Sequence, residues 1–243
     1  MFVHLNTHST YSPMRGTAHP RTLVERAAAL GMSHLALTEV NGLWGFVNFT
    51  EEAEHAGIRP IAGTNILYGG ADLVLLARNR RGYENICRIL SAVHHEETTD
   101  ILESVVDHQA GLFILCPNLG DLRRLAKRVP VSNLFAELRP ENGTRELLTA
   151  ARELGAEPVA TGDVYFLRPE DRETHRILRA IEHNAKLSDL PPEEVKSDRH
   201  FFADEAEMRR RYPQYNGLPR PLQPQAAEIR GRYRKDDVRR DPL

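Results

Sequence analysis

Cysteine is scarce in this 243-residue sequence: only Cys87 and Cys116 occur, far apart and with no CxxC partner. That excludes a disulfide framework and fits a reducing compartment. No stretch approaches the ~20 apolar residues that span a bilayer. The start, Met1-Phe2-Val3-His4-Leu5-Asn6, lacks the basic residues and apolar run of a secretion signal. The expected location is the cytoplasm, with no membrane contact. Excess charge of one sign is missing too, since the formal net charge is −2. Nothing pulls the chain globally onto nucleic acid, so any DNA contact must be local or pass through a partner. What is present, 41% hydrophobic and 27% charged residues, suits one globular core.

Short apolar runs alternate with amphipathic helical patterns over most of the chain. Strands are predicted at Phe2 to Leu5, His34 to Thr38, Ile58 to Ala62, Leu73 to Ala77, Leu112 to Leu115, Leu134 to Leu138 and Glu157 to Thr161. Helices are predicted from Pro20, Trp44, Gly82, Asp121, Arg145 and Pro169, several closing at glycine. Such alternation implies parallel strands with right-handed crossovers, and about seven units favour a closed barrel. No glycine-rich dinucleotide turn follows the first strand, which argues against an open doubly wound sheet. The expected class is therefore α/β, a distorted (β/α)7 TIM-like barrel, with its chemistry at the C-terminal strand ends. Beyond Leu187 the pattern weakens. Residues 1–187 are read as the barrel and 188–243 as an extension, with a short helix from Asp204 to Arg211. Closely spaced prolines from Pro213 to Pro224 and a basic tail from Arg230 follow.

The strand ends carry Asn6-Thr7-His8-Ser9-Thr10-Tyr11-Ser12, Thr38-Glu39-Val40-Asn41-Gly42-Leu43-Trp44-Gly45, Gly63-Thr64-Asn65, Asp72, and Thr161-Gly162-Asp163-Val164-Tyr165. Longer stretches accompany them: Ala56-Gly57-Ile58-Arg59-Pro60-Ile61, Leu75-Leu76-Ala77-Arg78-Asn79 with Gly82-Tyr83-Glu84-Asn85, and Arg168-Pro169-Glu170-Asp171 with His175 and Ile181. The series resembles the polymerase-and-histidinol-phosphatase (PHP) domain at the N-terminus of bacterial C-family DNA polymerases, namely the polymerase III alpha subunit and its error-prone relatives.

The resemblance implies a PHP-type barrel and, in active members, a cluster of divalent metals on His, Asp, Glu and Cys. Such a cluster generates a hydroxide and clamps a phosphate. Here the family's ligand positions hold Asn6, Val40, Asn65, Asn118 and Tyr165, none of which is a good transition-metal ligand. His8 and Asp163 keep the expected types, and Glu39 and Asp72 are acidic replacements. No metal cluster is expected on this set. At most, one weakly held magnesium or manganese would sit on His8, Glu39, Asp72 and Asp163, an oxygen-rich set that hard cations accept.

The function implied is a catalytically degenerate PHP domain, a scaffold in a bacterial DNA polymerase III alpha-like system for replication or error-prone repair. Its partner would be a polymerase module in cis or in trans, with the proofreading subunit as a further contact and DNA met only indirectly. Two alternatives stay open: a residual metal-dependent phosphoesterase or 3′-to-5′ exonuclease, and a free-standing interaction protein. Elsewhere, His94-His95 with Glu96-Glu97 reads as a solvated helix end. His55, His108, His183 and His200 read as surface or structural residues, and Cys116 as a small buried residue.

Overall fold

The protein is described by a computed structural model over residues 2–95, 100–141 and 144–212. Glu96 and Glu97, the prolines from Pro213 on and the basic tail from Arg230 lie outside the described residues. Six strands form one sheet whose spatial order follows the chain: β1 (His34–Val40), β2 (Arg59–Tyr68), β3 (Ala71–Ala77), β4 (Leu112–Cys116), β5 (Leu134–Leu138) and β6 (Glu157–Ala160). Helix α1 (Pro20–Ala29) precedes the sheet. Between its strands run α2 (Phe46–His55), α3 (Arg80–His94), α4 (Ile101–Asp107), α5 (Leu119–Leu125) and α6 (Thr144–Leu154); α7 (Arg172–Glu182) and α8 (Glu205–Arg211) come last. Helix α4 had no counterpart among the predicted elements. Among the described residues no helix is long and apolar enough to cross a membrane.

Strands β4 and β5 are buried at every position, as two-sided burial requires. One face of the sheet curls around an inner cluster to which every strand contributes. Ala36, Ile61, Val74, Leu76, Phe113, Leu115, Phe135 and Val159 meet there with Val3 and Leu5 of the N-terminal segment. The other face packs under the helices in a larger cluster that includes Leu23, Leu35, Phe49, Leu75, Ile86, Ile89 and Leu134. Phe202, Ala203, Met208 and Tyr212, from the chain beyond α7, belong to that same cluster.

Two expectations need correction. The strands are not all parallel, because β3 runs antiparallel to both β2 and β4. The cause is local: Tyr68 pairs with Ala71 across a two-residue turn, Gly69-Gly70, both at positive φ. Such a turn can only return the chain antiparallel, and its left-handed backbone suits glycine. It also draws β2 past Ala62 to Tyr68, so Gly63-Thr64-Asn65 lies inside a strand. Second, the N-terminal segment is not a regular ladder strand. Its backbone still bridges the two edges of the sheet: Ala36 donates to the His4 carbonyl at 3.0 Å and Thr38 to that of Thr7 at 2.9 Å. On the other side His8 donates to the Val164 carbonyl at 2.9 Å, and Val164 to that of Asn6 at 3.1 Å. The architecture is thus α/β with a curled six-stranded half-barrel, rather than a regular parallel barrel.

Candidate functional site

The ends of β1, β2, β4, β5 and β6 and the start of the antiparallel β3 all open on one mouth. Reversal of β3 is what brings Asp72, near its N-terminus, to the same end as the C-termini of its neighbours. A cavity of about 300 Å³ lies there, lined by Asp72, Pro117, Asn118, Arg139, Glu141, Asp163, Lys196 and His200.

Of its carboxylates, Asp72 and Asp163 are tied to the buried Glu137 through Arg139 and Asn6. Asp72 receives Arg139 twice, at 2.5 and 2.9 Å, and the Asn65 amide at 2.8 Å. Glu137, fully buried, takes Asn6 at 3.0 Å and Thr161 at 2.6 Å on one oxygen, and Arg139 at 2.8 Å on the other. Asp163, also buried, takes Asn6 at 3.1 Å on one oxygen, and Lys196 at 2.8 Å with the His200 ring at 3.2 Å on the other. The Asp163 backbone is left-handed, at φ 43°, a conformation that aspartate tolerates better than most residues.

Electrostatics follow from this packing. Burial by itself would raise the Asp163 carboxyl, but Lys196, Arg139 and His200 outweigh it and hold the group well below the usual carboxylate range. Burial opposes the charge on Lys196 too, yet Asp163 keeps its ammonium above its ordinary value. Glu137 is pushed up by burial, which Arg139 only partly offsets.

His8 lies beneath, fully buried and stacked on Tyr165 with ring centroids 4.2 Å apart. Its Nδ1 faces the Val164 carbonyl at 3.1 Å and its Nε2 faces the Asn65 amide oxygen at 3.2 Å. Burial lowers the ring to about 4, against the raising effect of Asp163 and the Val164 carbonyl. Glu39 is turned elsewhere. Its two oxygens hold the first loop through the hydroxyls of Ser9 and Ser12 and the Ser9 amide at 3.1 Å. That loop closes on Gly16, where an added Cβ would sit 2.0 Å from the Ser9 carbonyl oxygen.

The PHP domain family matches residues 4–128, just over half of the chain. The chain belongs to the PHP domain family. Among curated relatives, DNA polymerase III subunit alpha of Bacillus subtilis is 29% identical over 223 residues, covering 80% of this chain and 20% of the relative. The error-prone DNA polymerase of Anaeromyxobacter dehalogenans (strain 2CP-C) is 31% identical over 215 residues, covering 76% and 19%. The chain thus spans about a fifth of the length of the curated relatives it matches. Among solved structures, an amidohydrolase from Chromobacterium violaceum aligns with a TM-score of 0.48 at 13% identity, over 67% of this chain and 87% of that one. A two-domain protein from Bacteroides vulgatus containing a predicted PHP-like metal-dependent phosphoesterase gives 0.46 at 15%, over 67% and 51%.

In this PHP domain the expected ligand positions do varied work. Asn6 and Asn65 are buried donors to the carboxylates. Val40 ends β1, its amide donating to Ser12. Asn118 caps α5, accepting from the Asp121 amide at 3.1 Å. Tyr165 fills the space over His8, with the Lys196 ammonium 4.9 Å from its ring. Asp72 and Asp163 line the mouth and His8 underlies it, whereas Glu39 serves the loop. Among the described residues no three of His, Cys, Asp and Glu gather so as to hold a metal ion. With guanidinium, ammonium and amide donors on its carboxylates, this site does not fit a divalent cluster.

Sequence reasoning missed Arg139, Glu141, Lys196 and His200 of the cavity lining and the buried Glu137 beside it. Glu137 and Arg139 stand at the end of β5, where the rule for barrel strand ends already pointed. Lys196 and His200 come from the stretch after Leu187, whose proline-rich pattern carries no signal that it returns to the sheet. His200, read as peripheral, is buried against Asp163.

Proposed function

We propose that this chain is a catalytically degenerate PHP domain that serves as a scaffold in a bacterial DNA polymerase III alpha-like system. The observation that carries this reading is the saturation of Asp72, Glu137 and Asp163 by Arg139, Lys196, His200 and amides. No carboxylate oxygen is left to bind and activate a water-bearing metal. The partner is a polymerase module, in cis or in trans, with the proofreading subunit as a second contact and DNA reached only through them, in the cytoplasm. Exposed Ile177, Ile181 and Leu187, on and just after α7, offer apolar area for such a module. Residues 2–8 act as the seventh strand of a PHP-type barrel, closing it through backbone bonds rather than a full ladder.

The test assays the purified chain with manganese on a phosphomonoester and on single-stranded DNA, with a His8→Ala, Asp163→Ala variant as control. Equal background in both is expected. Turnover that vanishes in the variant would mean a living site and overturn the scaffold reading, whereas co-purification of a polymerase subunit would support it directly.

A further inference from the structure

We infer that Arg139 and Lys196 are built-in counter-cations that close the mouth of this domain to divalent metals, so that lost ligands alone do not account for its chemistry. The inference shares with the proposed function the premise of a metal-free mouth, but rests on geometry and not on any polymerase partner.

Three neighbouring carboxylates, Glu137 and Asp163 fully buried and Asp72 partly so, repel one another unless a cation lies among them, because low polarity magnifies like-charge contact. Either a metal or a side chain can supply that charge. Here the Arg139 guanidinium spans Asp72 and Glu137, and Lys196 lies on Asp163. Both terminal nitrogens of Arg139 are committed, in the planar fork that suits paired carboxylates. Every carboxylate oxygen of the three already has a hydrogen-bond donor or an ion-pair cation beside it, the second Glu137 oxygen through its ion pair with Arg139. An incoming divalent ion must therefore expel either the Lys196 ammonium from Asp163 or the Arg139 guanidinium from Asp72 and Glu137, the latter leaving a buried cation unpaired. His8 reinforces the closure, since its Nε2 faces the Asn65 amide rather than open space.

The consequence separates two kinds of loss. If missing ligands were the whole cause, restoring them would restore uptake. With Arg139 and Lys196 as the barrier, restoring them achieves nothing until those cations leave.

The experiment uses the full 243-residue chain in three forms: wild type, Asn6→His with Asn65→Glu, and that pair combined with Arg139→Met and Lys196→Met. Zinc and manganese binding are followed by calorimetry, by metal content after gel filtration and by melting temperature. Wild type and the ligand-restored pair are expected to take up no stoichiometric metal. The quadruple variant is expected to bind metal and to melt several degrees higher with it than without, as a ligand specific to the folded state requires. Stoichiometric uptake by the pair, with both cations in place, would overturn the inference, as would a folded quadruple variant that binds none. Should the quadruple variant fail to fold, the pair combined with Arg139→Gln and Lys196→Gln, which removes both charges but keeps polar side chains beside the carboxylates, is read by the same rule. Uptake by the pair in a wild-type background without turnover would sink this inference and leave the scaffold reading intact; turnover by the wild type would sink the scaffold reading.

Discussion

His175 donates from Nδ1 to the Arg15 carbonyl at 2.7 Å and accepts the Lys196 amide on Nε2 at 3.2 Å. These two bonds require the neutral ring, and they tie the first loop to the segment that carries the Lys196 ammonium to Asp163. Burial lowers His175 to about 4, with the Arg15 bond opposing and nearby Arg179 assisting. Because the folded value lies below the unfolded one, the unfolded chain binds more protons between about 6.5 and 4. The stabilising contribution of the ring is then full above about pH 6.5 and is lost as pH falls through 4. His175→Gln should destabilise most at neutral pH, with the gap from wild type shrinking toward pH 4. Urea unfolding at a series of pH values measures it, and a gap constant over that range would refute the neutral-ring reading. Measuring the gap, rather than the wild type alone, matters here: Glu39 and Glu137 are raised by burial and act with the opposite sign.

At the scale of elements, the Gly69-Gly70 hairpin decides the direction of β3 and hence the position of Asp72. Both glycines have positive φ, 59° and 82°. An L-residue in that region costs about 1–2 kcal/mol, while Asn-Gly is a favoured pair in such turns. Gly69→Ala should therefore lower stability by about 1 kcal/mol and Gly69→Asn should be nearly neutral, as read from urea midpoints. Equal effects of the two would mean that left-handed backbone is not what this turn demands. The hairpin also shows how far local signals reach. The period of β2 predicted a strand, but its length was set by pairing with β3, which put Asn65 in mid-strand opposite Val74.

For the molecule as a whole, the chain after α7 is part of the core. Phe202 is fully buried, Met208 and Tyr212 nearly so, and the Tyr212 hydroxyl donates to the Leu138 carbonyl at 3.1 Å, at the end of β5. Phe166 and Phe201 form a bridge between the segment after β6 and the one before α8. A chain cut after Leu187 loses all of these together with Lys196 and His200. It is expected to lose its cooperative unfolding transition, since emptying one buried phenylalanine site alone costs about 3–5 kcal/mol. Phe202→Ala in the full chain is the milder companion, with a clearly lowered melting point expected. A fragment 1–187 that melts like the full chain would show that the barrel stands without this segment.

Most of the fold was legible in the sequence because apolar period and stop signals are local. All six strands and most helices follow from runs such as Leu112 to Leu115 and Leu134 to Leu138, flanked by breakers. The family was legible as well, through motifs in contiguous stretches, most of them within residues 4–128 and others from Thr161 to Ile181. Of the site, the sequence showed only that Asn6 and Asn65 stand where the resemblance implied ligands. Only the tertiary structure decided which cations face the carboxylates of the mouth. Arg139 reaches Asp72 across 67 positions and Lys196 reaches Asp163 across 33, pairings that no periodicity encodes. An ion pair depends on where two chain segments meet in space, and that meeting is set by the sum of core packing rather than by either residue's neighbours.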